Sequence, residues 1–232
     1  MKSRKVLNKP VSKRQMLSMM SGVATLVAGS ATRAAEPAPA GATPAKGTMP
    51  ETPITRIPRD KLPPGMQRSW DGAMKLHGDT TYVEAFGNNP AVYDWYNNDF
   101  YKKLFASGRI DNRILQLIRL RLANIHGCAF CNRSDRVAAR EAGIPEEQIA
   151  TLAEYETGPF SEREKAALAL ADVMALTNPK GMLTKAIYNR AREHYSDGEL
   201  MELGMIMAVL CGVAKFIFAY DLVEKEDYCP FL

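Results

Sequence analysis

Apolar residues recur at helical spacing from about position 91 onward, and no segment alternates convincingly in the way that strands do. One segment runs from about 91 to 107, and its apolar positions are Val92, Trp95, Tyr96, Phe100 and Leu104. Gly108 stops that segment, and Asp111 is placed to cap the next one. The broad apolar face from Ile114 to Ile125 is typical of a buried helix. The pattern predicts an all-α fold.

The later helices have recognisable ends. A helix from about 129 to 141 closes at Gly143, which suits the left-handed position after a helix, and Pro145 opens another helix to about 155. Two capping boxes follow, in the segments 161–164 and 196–199. The first precedes a helix through 166–176, and the second opens a long apolar helix to about 223. A further helix is predicted from 183 to 194.

The N-terminal segment 1–34 has the layout of an export signal. A basic start precedes a small and apolar run over 16–31, and Thr32-Arg33-Ala34 offers the small residues that a signal peptidase requires. The segment 12–17 resembles the twin-arginine consensus with Lys13 in place of the first arginine, so a Sec signal or a retained anchor also stays open. We therefore predict an exported, periplasmic protein whose mature form begins near Ala35.

The chain after this signal divides into a linker and one domain. Residues 35–64 are rich in Pro, Ala, Gly and Thr, a composition that cannot bury enough apolar surface to order itself. Residues 65–232 are long enough for one domain with one core. We expect an oligomer, because the apolar residues around the last long helix exceed what one small subunit readily covers.

The basic charge of the chain belongs mostly to the signal. The whole sequence carries 30 basic and 26 acidic residues, a net charge of +4. The segment 1–34 holds seven of the basic ones and no acidic one, so the mature chain has 23 against 26, a net charge of −3. Nothing in this balance points to a nucleic acid partner.

The main candidate chemistry lies in Cys128 and Cys131, at what reads as the start of a helix. Two thiols at this spacing can close a disulfide, and the positive end of a helix stabilises a thiolate. His126 and nearby arginines could add cationic character. An inert disulfide or buried thiols are the simpler alternative. Zinc would need His126 or Asp135 plus a fourth ligand, and no second cysteine pair exists at suitable spacing, so we predict no metal and no cofactor.

The other two cysteines have different surroundings. Cys211 lies in an apolar run and is expected to be a small buried hydrophobe. Cys229 lies three residues from the C-terminus, where a bridge to another cysteine or chain and a free terminal thiol are both open.

The segment that carries the cysteine pair resembles the AhpD-like/carboxymuconolactone decarboxylase family. The resemblance covers roughly positions 90 to 225. The residues that carry it are Gln116-Leu-Ile-Arg119-Leu-Arg-Leu-Ala-Asn124-Ile-His-Gly127-Cys128-Ala-Phe-Cys131, Ala138-Ala-Arg-Glu-Ala-Gly143-Ile-Pro-Glu-Glu147, Phe160-Ser-Glu-Arg-Glu-Lys-Ala-Ala-Leu168-Ala-Leu-Ala-Asp172 and Glu202-Leu-Gly. It implies an AhpD-like helical bundle that assembles as a homo-oligomer, a dimer, trimer or hexamer.

The hydroperoxidase branch of that family implies peroxidase and disulfide reductase chemistry with a proton relay. The relay consists of a Glu twelve residues before the first cysteine and a His four residues after the second, and this chain has Gln116 and Asp135 there. Gln116 cannot take up a proton near neutral pH. Asp135 should raise the pKa of a neighbouring thiol unless a cation neutralises it, and at an ordinary carboxylate pKa it would be a weak base. A surface carboxylate paired with an arginine is the alternative for Asp135.

We expect a thiol-dependent oxidoreductase in which one thiolate attacks a small-molecule peroxide, the second cysteine closes the disulfide, and an external dithiol resets the pair. The candidate site residues are Cys128, Cys131, Asp135, Gln116 and His126, and the order of attack stays open. A second hypothesis is a decarboxylase or related lyase or hydrolase that holds a small carboxylate or lactone through His126, Arg119, Arg121 or His194. A third is a non-catalytic helical protein stapled by its disulfide.

Overall fold

The computed structural model describes residues 47–232, and this part of the chain is all-α apart from one isolated antiparallel bridge between Thr48 and Lys225. The predicted signal, 1–34, and the first part of the predicted linker, 35–46, lie outside the described residues. The α-helices are α1 Pro64–His77, α2 Thr81–Phe86, α3 Pro90–Asp94, α4 Asn112–His126, α5 Ala129–Glu141, α6 Glu146–Ala150, α7 Glu162–Met174, α8 Lys185–Arg192 and α9 Asp197–Ala219. A π-helical segment, Trp95–Phe105, continues α3, and two 3₁₀ turns cover Arg59–Lys61 and Leu152–Glu154.

The capping residues act as the sequence predicts. The Asp111 carboxylate accepts a hydrogen bond from the backbone N–H of Arg113 at 2.8 Å and begins α4. Both capping boxes are complete, since the hydroxyls of Ser161 and Ser196 each accept from the backbone N–H three residues on, and the backbone N–H of each serine donates to the carboxylate of the glutamate there. These bonds satisfy amides that a helix start otherwise leaves free.

The spacing of apolar residues predicts one α-helix from about 91 to 107, and this prediction is wrong. After the single turn of α3 the helix widens, so that the backbone N–H of Ala106 reaches back five residues to the carbonyl of Tyr101 at 2.8 Å. In a π-helix residues five apart lie near the same face. The hydroxyls of Tyr96 and Tyr101 accordingly meet at 3.3 Å, which an α-helix would prevent by turning the two side chains apart.

The folded domain begins before the predicted boundary at residue 65. Thr48 exchanges backbone hydrogen bonds with Lys225, the N–H of Ile57 donates to the carbonyl of Glu84 at 3.1 Å, and Leu62 is buried. Residues 47–63 therefore belong to the folded part and not to the linker. Helices α1 and α2 follow this segment and add a layer that the sequence pattern did not predict.

Helix α4 lies at the centre, packed against α5, α7 and α9. One apolar cluster joins α4, α7, α9 and the π-helical segment, and a second joins α1, α2, the end of α9 and the C-terminal residues. Helix α9 is long and apolar enough to cross a membrane, but its buried side chains contribute to both clusters, as those of a core helix do. At the junction of α4 and α5, Cys128 belongs to the second cluster and Cys131 packs against it.

Candidate active site

Cys128 and Cys131 form a disulfide at the start of α5. Cys128 is the N-cap residue, and its sulfur accepts a hydrogen bond from the backbone N–H of Cys131 at 3.1 Å. Gly127 makes the turn from α4 with a φ of 64°, and a side chain there would meet the Cα of Cys229 at 2.6 Å. Both the left-handed backbone and the close approach therefore require glycine. Cys128 is 1% exposed, whereas Cys131 is partly exposed.

A cavity of about 420 Å³ opens beside this disulfide. Both cysteines belong to its wall, together with residues of α1, α4, α9 and the π-helical segment. Most of the wall is aromatic or aliphatic, and the aromatic part consists of Tyr82, Tyr93, Tyr96, Tyr101 and Phe130. The polar side chains in the wall include those of Arg119, Asp135, His77, His126 and Ser134. A cavity of this kind, mainly apolar with a few polar groups near a reactive centre, suits a small organic ligand.

Asp135 lies one turn beyond Cys131 and is buried, not on the surface as the alternative interpretation had it. Its carboxylate pairs with the guanidinium of Arg119 on α4 at 2.7 Å. Burial raises the pKa of Asp135 to about 6, although the positive charge of Arg119 opposes the rise. Asp135 is therefore a better-matched base near neutral pH than a carboxylate of ordinary pKa. The cation beside it is Arg119, because Arg133 pairs with Glu224 instead.

Gln116 does not line the cavity. It is buried in α4, where its amide N–H₂ donates to the side chain of Asn112 at 3.1 Å. Its amide oxygen accepts from Arg119 at 3.4 Å. Gln116 thus reaches the cysteines only through Arg119 and the Asp135 carboxylate.

His126 lines the cavity but supplies no positive charge. Its Nε2 accepts a hydrogen bond from the backbone N–H of Leu176 at 3.0 Å, and burial lowers its pKa to about 4. A ring that accepts at Nε2 is neutral, so the expectation that His126 adds cationic character is wrong. The Cys229 thiol donates to the His126 carbonyl at 3.1 Å, which ties the C-terminal segment to the end of α4.

The four residues proposed for a carboxylate pocket do not come together. Arg119 and His126 line the cavity, but Arg121 pairs with Asp172 at 2.8 Å and lies outside the cavity wall, as does His194. The Arg119 charge is already balanced by Asp135.

His77, at the end of α1, is a site residue that the sequence did not reveal. Its ring stacks on Phe130, the residue just before Cys131, with ring centroids 3.8 Å apart. Tyr82 and Tyr93 were missed in the same way. These residues reach the cysteines only through the packing of α1, α2 and α3 on α5 and α9, and no local spacing connects them to the pair.

The two remaining cysteines are free and buried. Cys211 donates to the carbonyl of Met174 at 3.2 Å, and burial raises its pKa to about 11. Its position confirms the prediction of a small buried core residue. Burial also raises the pKa of the Cys229 thiol. Within residues 47–232, no three His, Cys, Asp or Glu side chains are grouped closely enough to hold a metal ion.

Comparison with known proteins places this site in a recognised family. The family model described as the carboxymuconolactone decarboxylase family matches residues 90–173, which include the cysteine pair. The uncharacterised protein YdfG of Bacillus subtilis strain 168 is 32% identical over 107 residues, which cover 46% of this chain and 72% of YdfG.

Solved structures share the fold. The debrominase Bmp8, in complex with 2,3,4-tribromopyrrole, superposes with a TM-score of 0.61 at 19% identity, covering 78% of this chain and 94% of that one. A peroxidase-related protein with an alkylhydroperoxidase AhpD core, from Ralstonia eutropha JMP134, superposes with a TM-score of 0.57 at 14% identity, covering 75% and 94%. Likeness at these identities concerns the fold alone.

Proposed function

The chain belongs to the AhpD-like/carboxymuconolactone decarboxylase family, and on that basis we propose that it is a thiol-dependent peroxidase acting on small organic hydroperoxides. The observation that carries the proposal is the position of the cysteine pair. Cys128 and Cys131 lie in the wall of a mainly apolar cavity and share it with the buried carboxylate of Asp135. A nucleophile, a base and a binding cavity therefore converge.

The proposed reaction starts from the reduced pair. The Cys131 thiolate attacks one oxygen of the hydroperoxide, an S–O bond forms, the O–O bond breaks, and the departing alkoxide takes a proton to become an alcohol. The Cys128 thiol then attacks the sulfenic acid at Cys131, the disulfide forms, and water leaves. An external dithiol returns two electrons and two protons to the pair and becomes a disulfide itself.

Access and the nearby carboxylate favour Cys131 as the attacking sulfur. Cys128 is almost fully buried, whereas Cys131 is partly exposed and lies one turn from Asp135. In its ionised form, Asp135 takes the thiol proton and later returns a proton to the leaving oxygen. Arg119 keeps that carboxylate in place at 2.7 Å.

The size of the cavity favours an organic hydroperoxide over hydrogen peroxide. A volume of about 420 Å³ exceeds what a molecule little larger than water fills, and tyrosine and phenylalanine rings cover much of the wall. An apolar body in contact with those rings gains the binding energy that hydrogen peroxide cannot.

A second candidate is thiol-dependent removal of a halogen from a small aromatic ring. The aromatic wall beside two cysteines favours it, and the fold is shared with a debrominase. The balance would be one aryl bromide and two thiols giving the debrominated ring, bromide, a proton and the disulfide. Decarboxylation has weaker support, because Asp135 already neutralises the Arg119 charge that would hold a carboxylate.

The experiment is a single turnover of the reduced protein. Cumene hydroperoxide should convert one equivalent of the pair to the disulfide, mapped by mass spectrometry between residues 128 and 131. Cys131→Ser should abolish consumption of the peroxide, Cys128→Ser should consume one equivalent but stop at the sulfenic acid without forming a disulfide, and Cys211→Ser should behave as the wild type. Bromide release from a bromopyrrole, with no peroxide consumed, would replace the first candidate by the second.

Export and assembly complete the proposal. An oxidising compartment outside the cytoplasm would suit a protein that works through a disulfide, and the signal layout of residues 1–34 supports that location. We also propose a homo-oligomer. N-terminal sequencing of the protein from its host tests the first idea, and a protein starting at Met1 in the cytoplasm would contradict it.

A further inference from the structure

The His77 ring is hydrogen-bonded at both of its nitrogens by neighbours on α5. The guanidinium Nε of Arg133 donates to Nδ1 at 3.3 Å, and the Ser134 hydroxyl lies 3.1 Å from Nε2. The ring also stacks on Phe130. His77 and Ser134 both line the cavity that holds the cysteine pair. Two consecutive residues of α5, Arg133 and Ser134, thus fix the orientation of the His77 ring.

These contacts fix the direction in which hydrogen atoms point. A guanidinium can only donate, so Nδ1 of His77 accepts, and a neutral imidazole with an accepting Nδ1 carries its hydrogen on Nε2. That hydrogen is donated to the Ser134 oxygen. The Ser134 hydroxyl hydrogen is then not directed at the ring and is available to another acceptor, and within residues 47–232 His77 is the one hydrogen-bond partner that the Ser134 side chain has.

The hydrogen bonds from Arg133 to His77 and from His77 to Ser134 keep this direction near neutral pH, and Arg133 is itself fixed in place. Arg133 is held by an ion pair with Glu224 in the C-terminal segment. The charged groups around His77 are Arg133 on α5, Asp79 just after α1, and Glu224. Burial, followed by the Arg133 charge, lowers the pKa of His77 to about 4, so the ring stays neutral well below physiological pH.

We propose that His77 acts as a positioning residue that directs the Ser134 hydroxyl hydrogen toward the sulfur of Cys131, where it stabilises the thiolate of the reduced pair. Ser134 lies three residues after Cys131, on the same face of α5 and in the wall of the same cavity. The role rests on the proposed function, since it matters only if the pair is reduced in the working cycle. It adds a hydrogen-bond donor to a site whose base is Asp135.

The test measures the pKa of the Cys131 thiol in the full reduced protein, from the pH dependence of its alkylation by iodoacetamide with mass spectrometry at that residue. Ser134→Ala should raise this pKa by about half a unit to one unit, because a hydrogen bond to the charged form is lost. Alkylation at pH 7 should slow by about three- to tenfold, in proportion to the thiolate fraction. His77→Phe keeps the stacked ring but frees the serine to bond its own helix backbone, so the pKa should rise in the same direction.

Three comparisons make the test decisive. The double variant Ser134→Ala/His77→Phe should shift no further than Ser134→Ala, since His77 acts through the serine. Ser134→Thr keeps a hydroxyl and should retain the wild-type pKa. Ser69→Ala removes another serine of the cavity wall, one whose hydroxyl donates to the Gly65 carbonyl, and should not change the thiol pKa.

An unchanged thiol pKa in Ser134→Ala would overturn the inference, even if the variant melts at a lower temperature. Additive shifts in the double variant would overturn the role of His77. Failure of the proposed function looks different, because the thiol pKa would shift as expected while no peroxide is consumed. If Ser134→Ala does not fold, His77→Phe and Ser134→Thr still decide the matter.

Discussion

Arg119 and Asp135 form a largely buried ion pair at 2.7 Å, and this pair balances charge beside the disulfide. The neighbouring side chain, Gln116, is neutral and touches the pair only through Arg119. In the relay that the family resemblance implies, a carboxylate occupies the position of Gln116 and a histidine that of Asp135. Compared with that relay, this chain has its carboxylate on α5, at Asp135, and not on α4. The Arg119 charge is still balanced, so we interpret the residues at 116 and 135 as energetically coupled.

The first prediction concerns that coupling. Asp135→His alone leaves the largely buried Arg119 without a partner, which should cost about 3–5 kcal/mol of unfolding free energy. Adding Gln116→Glu restores a carboxylate within reach of Arg119, so the double variant should recover part of the loss, with a coupling energy of about 1–3 kcal/mol. Urea unfolding of the wild type, both single variants and the double variant measures this cycle.

The same double variant tests whether the relay limits the rate. Because burial raises the pKa of Asp135 to about 6, a base suited to neutral pH is already present. A histidine in its place, with Glu at 116 to support it, should therefore keep peroxide turnover within about tenfold of the wild type, whereas loss of the base should cost about 10²-fold. A gain of about 10²-fold in the double variant would show instead that Asp135 does not act as the base, and stability losses that simply add would show that positions 116 and 135 are independent.

The second prediction is a pH dependence set by Asp135. Because burial raises its pKa to about 6, the carboxylate is a base above that pH and is protonated below it. The rate of disulfide formation should therefore fall as the pH drops through about 6. Asp135→Asn should lose this step in the profile and run about 10²-fold more slowly at pH 7.

Asp172→Asn is the matched control for that measurement. Asp172 also pairs with an arginine, Arg121 at 2.8 Å, but outside the cavity wall. It should lower stability while leaving the step near pH 6 in place. If the step near pH 6 persisted in Asp135→Asn, a titratable group other than Asp135 would be its cause.

Sequence reasoning succeeded where the determinants are local. Asp111, Ser161 and Ser196 begin helices because a side-chain oxygen and the amides it accepts from lie within three residues, and the cysteine pair closes over the same distance. The buried partner of Asp135 could not be found in this way. Arg119 lies on the preceding helix, and the choice between Arg119, Arg133 and Arg136 depends on how α4 and α5 cross.

The π-helical segment and the role of His77 could not be predicted from the sequence at all. Val92, Trp95, Tyr96 and Phe100 have spacing that an α-helix also satisfies, so nothing in the pattern announces the wider turn that joins Tyr96 to Tyr101. His77 lies at the end of α1, a helix that the sequence analysis did not predict. Its place in the site follows from the tertiary packing of α1 on α5, two helices that are far apart in the chain.

The third prediction concerns the reactivity of the four thiols in the reduced, folded protein. Cys131 should be alkylated first, whereas Cys211, whose pKa is raised to about 11, should react at least 100-fold more slowly at pH 7 because its thiolate is so scarce. Cys229 should also be slow, since it is buried and donates to the His126 carbonyl. Time-resolved alkylation followed by peptide mass mapping gives the order, and urea should make all four thiols react alike.

The fourth prediction concerns assembly. Met201 and Met205 lie one turn apart on α9 and are 74% and 55% exposed, whereas Leu203, Ile206 and Met207 of the same helix are buried. We expect this face to be covered by a second copy of the chain. Light scattering at micromolar concentration should give a multiple of the chain mass, and Met205→Lys should shift it toward one chain. A wild-type mass of one chain would refute the expectation.

The last prediction uses the cavity itself to separate large from small substrates. Gly72 lies in α1 and lines the cavity, and no heavy atom lies within 4 Å of where a Cβ would stand. Gly72→Ala should therefore fit, and it should stabilise the protein by up to about 1 kcal/mol through helix propensity. Gly72→Leu should extend into the cavity and occupy space that a bulky substrate needs. With Leu, turnover of cumene hydroperoxide should fall by about tenfold or more, the effect of one lost binding contact of about 1.4 kcal/mol, while oxidation by hydrogen peroxide stays within about twofold. The alanine variant at the same position separates substrate exclusion from any change in stability. A parallel loss with both peroxides would mean that Leu disturbs the cysteine pair, and an undiminished rate with cumene hydroperoxide would place the substrate elsewhere.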